Sequence, residues 1–227
     1  MRIFPPGNLY SAHGTRRNVN NKAFVAEPIE KKKFVNLSVS LKRIIQKTLK
    51  GVFMDRPIAL ELPYPEPKNL CPDPFSARVI SAAYAGGHGE LTAILQYVYH
   101  HFWFENSGDE KTASVLVGIA VAEMRHLDIL GKTLLALGAD PVFTRFPPYK
   151  CDFYSSSFVN YSKTAKKMLM DDIAGELKAI NDYREMQSVL KNEEVSAIVS
   201  RIILDEELHV KVLKERLFAV CGTTTTN

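Results

Sequence analysis

The chain has 227 residues, of which 46% are hydrophobic and 24% are charged, as in an ordinary soluble globular protein. No apolar run reaches the roughly 18 residues that a membrane span needs, and the start lacks the apolar core of a secretory signal. The three cysteines, Cys71, Cys151 and Cys221, are too widely spaced for a CxxC metal motif. We therefore expect a cytoplasmic protein without a transmembrane segment.

Positive charge is concentrated near the N-terminus. The formal net charge is +4, yet residues 1–50 hold eleven Lys or Arg and two acids, and the rest holds eighteen Lys or Arg and twenty-three acids. Such a segment predicts contact with another subunit, an acidic protein, a membrane surface or nucleic acid. A homo-oligomer built through this arm is favoured, since exchanged arms readily join subunits. Nucleic acid is disfavoured because no aromatic residues are interleaved with the basic ones.

Residues 1–74 are predicted to form a basic N-terminal extension. Up to residue 34, scattered Pro, Gly and Asn without an apolar period are typical of an arm. Residues 35–50 predict a short amphipathic helix with basic residues between the apolar ones. The prolines of residues 56–74 then predict an extended linker.

Four long stretches of helical periodicity follow, and they predict an all-α fold. We expect helices over about 76–104, 109–137, 161–190 and 193–220. Asp109 is a candidate N-cap and Gly138 a candidate stop for the second helix. The first and third connections are short, but 23 residues (138–160) separate the second helix from the third. Residues 75–220 are therefore predicted to form a four-helix bundle with one crossover, followed by a tail over 221–227.

A nine-residue phrase occurs twice and places a glutamate on an apolar helix face. GELTAILQY spans residues 89–97, and GELKAINDY spans residues 175–183. Alanine, isoleucine and tyrosine stand three, four and seven residues after each glutamate, and these positions share its side of a helix. Glu90 and Glu176 are therefore predicted to face the core of the bundle.

The second helix of each predicted hairpin carries a Glu-x-x-His pair. Glu123 and His126 stand in EMRH, and Glu206 and His209 stand in EELH. The other residues on these two helix faces are apolar. At a rise of about 1.5 Å per residue, a short turn brings each pair level with the core glutamate of its own hairpin.

Four carboxylates and two imidazoles at one level of an apolar core predict a site for two divalent cations. Isolated buried carboxylates are strongly disfavoured, and adjacent like charges make their burial still less favourable. Two doubly charged cations balance the four carboxylates, and neutral imidazoles complete the shell. Two other interpretations stay open: buried polar pairs between helices, and a duplicated site that has lost most of its metal binding. The first is disfavoured because no Lys or Arg shares these faces.

Neighbouring side chains are candidates for supporting roles. Asp205 has no counterpart in the first hairpin, where Ala122 stands, and we expect it to orient His126 on the neighbouring helix. Tyr97 and Tyr183 are expected a turn or two from the metals, as core packing or as redox neighbours. Three other histidines are expected at the surface or at helix ends, not as ligands: His88, His100 and His101.

The sequence resembles the ferritin-like superfamily, in the neighbourhood of rubrerythrin, bacterioferritin and manganese catalase. The resemblance is carried by YAGGHGELTAILQY, VAEMRHLDILG and ILDEELHVKVL, and it covers residues 75–220. It implies a ferritin-like bundle with a two-metal carboxylate centre. The implied metal ligands are Glu90, Glu123, His126, Glu176, Glu206 and His209.

The departures from these relatives narrow what the resemblance implies. Rubrerythrins also have a cysteine-ligated rubredoxin domain, and this sequence has no CxxC pair to build one. They carry an extra glutamate three residues after the third-helix ligand, where this chain has Ala179. Manganese catalases lack the counterpart of Glu206. The resemblance therefore favours two iron ions, with two manganese ions as the alternative.

The implied activity is that of a di-iron oxidoreductase that reacts with O₂ or H₂O₂ in oxidative-stress or iron-handling roles. Glu123 and Glu206 would bridge the metals, and Glu90 and Glu176 would be terminal ligands. Carboxylates with two histidines suit Fe²⁺ or Mn²⁺. A di-manganese catalase and a non-enzymatic assembly protein with a metal-stapled bundle are the alternatives. The external electron donor is not encoded in any motif.

Overall fold

The computed structural model describes residues 56–144 and 153–222. The predicted arm and amphipathic helix of the N-terminal extension lie outside these residues, as does most of the predicted tail. The described residues contain five α-helices and no β-strand. The helices are α1 Pro74–Ala85, α2 Glu90–Asn106, α3 Glu110–Ala136, α4 Ala165–Val189 and α5 Glu193–Gly222.

Helices α2 to α5 form the predicted four-helix bundle. The closest helix neighbours are α2 with α3 and α4 with α5, so each hairpin of the sequence is a hairpin of the structure. The long connection between α3 and α4 is the crossover, and its described part contains one short 3-10 turn, Ser156–Phe158. The all-α prediction with one crossover is confirmed.

Glycine and aspartate residues set the two ends of α3. Gly108 has φ of +82°, a backbone conformation that other residues rarely adopt, and it turns the chain between α2 and α3. Asp109 then caps α3 by accepting a hydrogen bond from the Thr112 amide. Gly138 also has φ of +82° and ends α3 where the sequence predicted a stop.

The prediction of one helix over residues 76–104 is wrong, because the chain breaks at Gly86–Gly89. Gly86 is extended, and Gly89 is the N-cap of α2. The turn is so tight that a Cβ on Gly86 would lie 2.4 Å from the Ala82 carbonyl oxygen. The apolar period runs through the break and conceals it, whereas the three glycines of GGHG mark it.

The candidate site lies between two apolar clusters of the bundle core. One cluster joins α1 to the adjoining ends of α3 and α5 and includes Ile80, Leu134 and Ile202. The other lies at the opposite end and includes Leu116 and Leu213. The layer between them contains the repeated glutamates and the Glu-x-x-His pairs, so apolar packing shields that layer above and below.

Residues 56–73, hereafter the strap, run across α3 and α5 without regular secondary structure. The Ile58 amide donates to the Gly118 carbonyl of α3 at 2.9 Å. The approach is close, since a Cβ on Gly118 would lie 2.9 Å from Ile58 Cγ1. Arg201 of α5 donates to the carbonyls of Leu60 and Leu62. The segment predicted as a linker is therefore packed on the bundle.

No helix in the part of the chain that the structure describes combines the length and the apolar character that crossing a bilayer requires.

The repeated phrase provides a matched pair of glycines for a stability test. A Cβ on Gly89 would lie 2.3 Å from the Ala83 carbonyl oxygen, whereas a Cβ on Gly175 meets nothing within 4 Å. Gly89→Ala should lower the free energy of unfolding by about 1–3 kcal/mol through overpacking. Gly175→Ala should raise it by about 0.5–1 kcal/mol through helix propensity. Urea unfolding of both variants measures these changes, and equal shifts would contradict the steric origin of the helix break.

Candidate metal centre

All six predicted ligands lie in one buried layer of the bundle. Helices α2 and α4 contribute one glutamate each, and α3 and α5 contribute one Glu-x-x-His pair each. None of the six side chains points into solvent, and the largest exposure is 4%. The exposed fractions are Glu90 4%, Glu123 0%, His126 0%, Glu176 4%, Glu206 1% and His209 0%.

The six residues form two overlapping groups, each able to hold one metal ion. Within a group, one ligand atom from each residue lies within 4.8 Å of the others. Glu123 and Glu206 belong to both groups. The first group adds Glu90 and His126, and the second adds Glu176 and His209. Two sites that share two carboxylates have the arrangement of a bridged pair of metals.

The histidine rings turn their Nδ1 atoms toward the carboxylates. His126 Nδ1 lies 2.8 Å from Glu123 Oε2 and 3.4 Å from Glu206 Oε1. His209 Nδ1 lies 2.9 Å from Glu206 Oε2 and 3.0 Å from Glu123 Oε1. Each histidine thus contacts the glutamate of its own helix and the corresponding glutamate of the other hairpin. This symmetry follows from the internal repeat, in which each hairpin provides one histidine.

The Nε2 atoms point away from the centre, and each donates a hydrogen bond. His126 Nε2 lies 3.1 Å from Asp205 Oδ2, and His209 Nε2 lies 2.7 Å from the Ile58 carbonyl oxygen. A carbonyl and an ionised carboxylate only accept, so Nε2 of each ring carries a proton. Burial acts to lower the pKa of both histidines, but the adjacent carboxylates outweigh it and hold each pKa well above the usual value, so without metal a second proton, on Nδ1, faces the carboxylates. A bound metal would take the place of that proton.

The electrostatics of the chain without metal show the same requirement. Burial raises the pKa of Glu90 and of Glu176 well above the usual value, and Glu123 and Glu206 raise both further. Burial also acts to raise the pKa of Glu123, but the charges of His126 and His209 outweigh it and hold that pKa well below the usual value. Protons therefore provide part of the positive charge that metals would provide.

The donor set fits a pair of divalent cations. The Oε1 atom of Glu123 is buried and lies 3.0 Å from His209 Nδ1, where a metal would bind. Four carboxylates and two imidazoles suit Fe²⁺ or Mn²⁺ rather than a thiolate-seeking ion. Among the described residues, Arg201 is a buried cation near the layer. It pairs with Asp205, which is not one of the six candidate ligands.

Tyr97 and Tyr183 connect the two hairpins across the centre. The Tyr97 hydroxyl on α2 donates to Glu176 of α4, and the Tyr183 hydroxyl on α4 donates to Glu90 of α2. Burial and the adjacent glutamate raise the pKa of each tyrosine well above the usual value. Each tyrosine therefore stays protonated and holds one carboxylate oxygen in place. Neither is simply a packing residue.

Asp205 anchors both His126 and the strap. Its Oδ1 accepts from the Leu60 amide at 2.8 Å, and its Oδ2 accepts from the Tyr64 hydroxyl. Arg201 lies 2.8 Å from the same oxygen. These donors hold the pKa of Asp205 far below the usual value despite its burial. Burial and the adjoining carboxylate raise the pKa of Tyr64 to about 12, so Tyr64 remains a donor.

Sequence reasoning missed the contributions of the strap. The Ile58 carbonyl leaves no trace in the sequence, because any residue could provide it. Arg201 could have been found, since it lies four residues before Asp205 on the same helix.

The expectation that His100 and His101 lie at the surface or act as caps is wrong, because they are 0% and 7% exposed. His100 Nδ1 lies 2.8 Å from Asp172 Oδ1, and its Nε2 lies 3.0 Å from the Asn160 carbonyl oxygen. His100 thus joins α2 to α4 and the crossover. His88 is exposed, as expected.

A cavity of about 470 Å³ opens between α2 and α4 and reaches the centre. All four glutamates and both tyrosines of the layer line it. The break before α2 forms part of its wall through Gly86, Gly87 and Gly89. The strap contacts the histidines from α3 and α5, so the cavity is on the glutamate side of the layer.

Known structures share this architecture. The manganese catalase KatB from Anabaena PCC7120 matches with a TM-score of 0.55 and 22% identity, over 74% of this chain and 80% of the catalase. A bacterioferritin from Rhodobacter capsulatus, described with a metal-free dinuclear site and haem iron, matches with a TM-score of 0.55 and 26% identity. The match covers 65% of this chain and 86% of the bacterioferritin. Bacterioferritin BfrA of Mycobacterium tuberculosis matches with a TM-score of 0.55 and 22% identity, over 67% of this chain and 90% of BfrA.

Sequence comparison identifies the family directly. No protein of curated function matches the chain significantly. The model of the ferritin-like domain, in contrast, matches residues 88–217. These residues are more than half of the chain and contain all six candidate ligands. The chain therefore belongs to the ferritin-like family.

Proposed function

We propose that this protein is a di-iron oxidoreductase that couples oxidation of Fe²⁺ to the reduction of O₂ or H₂O₂. The observation that carries the proposal is the pair of buried ligand groups that share Glu123 and Glu206. Two metals joined by carboxylates can together provide the two electrons that peroxide reduction needs.

Each residue of the layer has a distinct part in this proposal. Glu123 and Glu206 would be shared by the two metals, and Glu90, Glu176 and the two histidines would each hold one metal. Four carboxylates balance two divalent ions, so the filled centre is neutral and its burial carries no charge penalty. His126 and His209 bind through Nδ1, because Nε2 is occupied by Asp205 and Ile58.

The surrounding residues control access to the metal centre and hold its ligands in place. The strap covers the histidine side and keeps water from the second nitrogens of the rings. The tyrosine hydroxyls fix the terminal glutamates, and a carboxylate held in this way needs little reorganisation when a metal changes charge. The cavity between α2 and α4 leaves the glutamate side open to a small oxidant.

Iron is favoured over manganese by the composition of the layer. Glu206 gives the centre its fourth carboxylate, and the resemblance to manganese catalases stops at this residue. A di-manganese catalase is the second candidate, because one similar structure is a manganese catalase. An electron donor, a homo-oligomer built through the N-terminal segment and a cytoplasmic location stay predictions.

Anaerobic reconstitution followed by an oxidant pulse tests the proposal. We expect two Fe²⁺ per chain and, after O₂ or H₂O₂ is added, the near-ultraviolet absorption of an oxo-bridged ferric pair. Manganese retention with gas evolution from H₂O₂ would instead establish the catalase. A chain that binds two metals yet reacts with neither oxidant would establish a structural role.

Adjacent glutamates on α5 separate the metal ligand from a surface residue. Glu206 is 1% exposed, whereas the side chain of Glu207 is 48% exposed and pairs with Arg184. Glu206→Ala removes a shared carboxylate, so we expect metal stoichiometry to fall below two and iron oxidation to slow at least tenfold. Glu207→Ala should change neither quantity. Elemental analysis and stopped-flow absorption measure both, and an unchanged Glu206→Ala variant would overturn the ligand assignment.

A second matched pair tests the support of His126. Asp205→Asn replaces the anionic acceptor with a neutral amide, and loss of such a partner typically weakens metal binding about 10–100-fold. Asp128→Asn is the control, because Asp128 lies on α3 two residues from His126, with its side chain 60% exposed beside Lys132. Calorimetric titration with Mn²⁺ measures the dissociation constants, and equal affinities of the two variants would contradict a role for Asp205.

A further inference from the structure

The cavity between α2 and α4 is larger than a diatomic oxidant requires. Its volume of about 470 Å³ falls within the range of roughly 300–1,000 Å³ that is typical of small-molecule sites. Dioxygen and hydrogen peroxide have only two heavy atoms each. Two metal ions and a diatomic oxidant would fill only part of this volume, so a larger molecule fits beside them.

The chain keeps this space open by placing small residues along both walls. Nine of the residues that line the cavity have no side chain beyond Cβ, among them Gly86, Gly87, Gly89, Ala93, Gly175 and Ala179. Ala93 and Ala179 stand three residues after Glu90 and Glu176, so they flank the metal layer from facing helices. The break before α2 replaces a helical turn by bare backbone. The volume is therefore a property of the fold and not of a movable side chain.

The cavity leads to the buried carboxylate of Glu123, one of the two that both ligand groups share. Glu123 lines the cavity and is fully buried, and its Oε1 lies 3.0 Å from His209 Nδ1. Glu90 and Glu176 keep 4% exposure on this side. The opposite side is covered by the strap, through the Ile58 carbonyl against His209. A ligand that approaches the layer through this cavity meets the glutamates first.

The walls of the cavity favour an uncharged occupant. The ionic side chains near its mouth are already paired, Asp182 with Lys178 and Asp171 with Lys167. Asp172 is paired with His100. At the layer the four glutamates would be neutralised by the metals, and the lining beside them includes tyrosine rings, alanines and the half-buried Met186. An ionic ligand would find no free partner of opposite charge among these groups.

We propose that the cavity receives the organic part of a hydroperoxide, ROOH, while its O–O group reaches the metal centre. This inference rests on the proposed function and extends it from H₂O₂ to organic peroxides with an uncharged tail. The O–O bond breaks, and ROOH takes up two protons from solvent and two electrons from the two bound Fe²⁺ ions. An alcohol, ROH, and one water leave, and two Fe³⁺ remain.

Filling the cavity tests the proposal. Protein loaded with two Fe²⁺ is mixed without oxygen with H₂O₂ or with cumene hydroperoxide, and iron oxidation is followed by stopped-flow absorption. We expect Ala179→Leu to lower the ratio of the cumene hydroperoxide rate to the H₂O₂ rate at least tenfold. Ala93→Leu, on the facing wall, should act in the same direction and serves if the first variant does not fold. Ala197→Leu, on the exposed side of α5, should leave the ratio unchanged.

A binding measurement gives an independent readout that needs no turnover. Cumyl alcohol, the unreactive product, should bind to the wild-type protein and to Ala197→Leu in calorimetric titrations, and at least tenfold more weakly to Ala179→Leu. If H₂O₂ oxidises the bound iron but the rate ratio and the alcohol affinity are the same in all variants, the inference is overturned and the proposed function stands. If Ala179→Leu slows only the loading of Fe²⁺, the cavity is a metal path and the inference is also overturned. Failure of H₂O₂ itself would overturn the proposed function.

Discussion

Mutual repulsion among four glutamates in a dry core is the constraint on which this structure depends. Glu123 and Glu206 are shared by both ligand groups, so neither hairpin can satisfy its acids alone. Tyrosine hydroxyls, histidine protons and the raised pKa values of Glu90 and Glu176 balance the charge in the chain without metal. The tyrosine hydroxyls and the histidines each contact a glutamate of the other hairpin, so the polar layer that would destabilise a bundle also holds its two halves in register.

The ligand layer could be predicted from the sequence because helix geometry is regular. A residue three, four or seven positions away shares a face, and equal distances through a short turn bring residues to the same height. Acidic side chains on an otherwise apolar helix face then indicate a bound cation. These rules located the six ligand candidates and the pairing of Asp205 with His126, which the structure places at 3.1 Å. These rules apply wherever a helix is long and the helix that packs against it follows directly in the sequence.

The rest depends on contacts that periodicity does not encode. The Ile58 carbonyl is a backbone group, and its partner His209 lies 151 residues away. The break at Gly86–Gly89 is set by contact with the end of α1, because the apolar pattern continues through it. His100 is buried by Asn160 of the crossover, a segment without helical period. In each case the deciding partner is distant in sequence and has no fixed spacing.

The strap also orders the assembly of the molecule in time. Its contacts with α5 join residues separated by 139 to 151 positions, whereas each helical hairpin is closed by neighbours in the chain. Non-local contacts of this span form late, since the entropy of loop closure must be overcome first. During synthesis the strap leaves the ribosome before all five of the described helices, yet its docking surface is completed only when α5 emerges. Maturation of the centre therefore waits for α5, which provides Glu206 and His209.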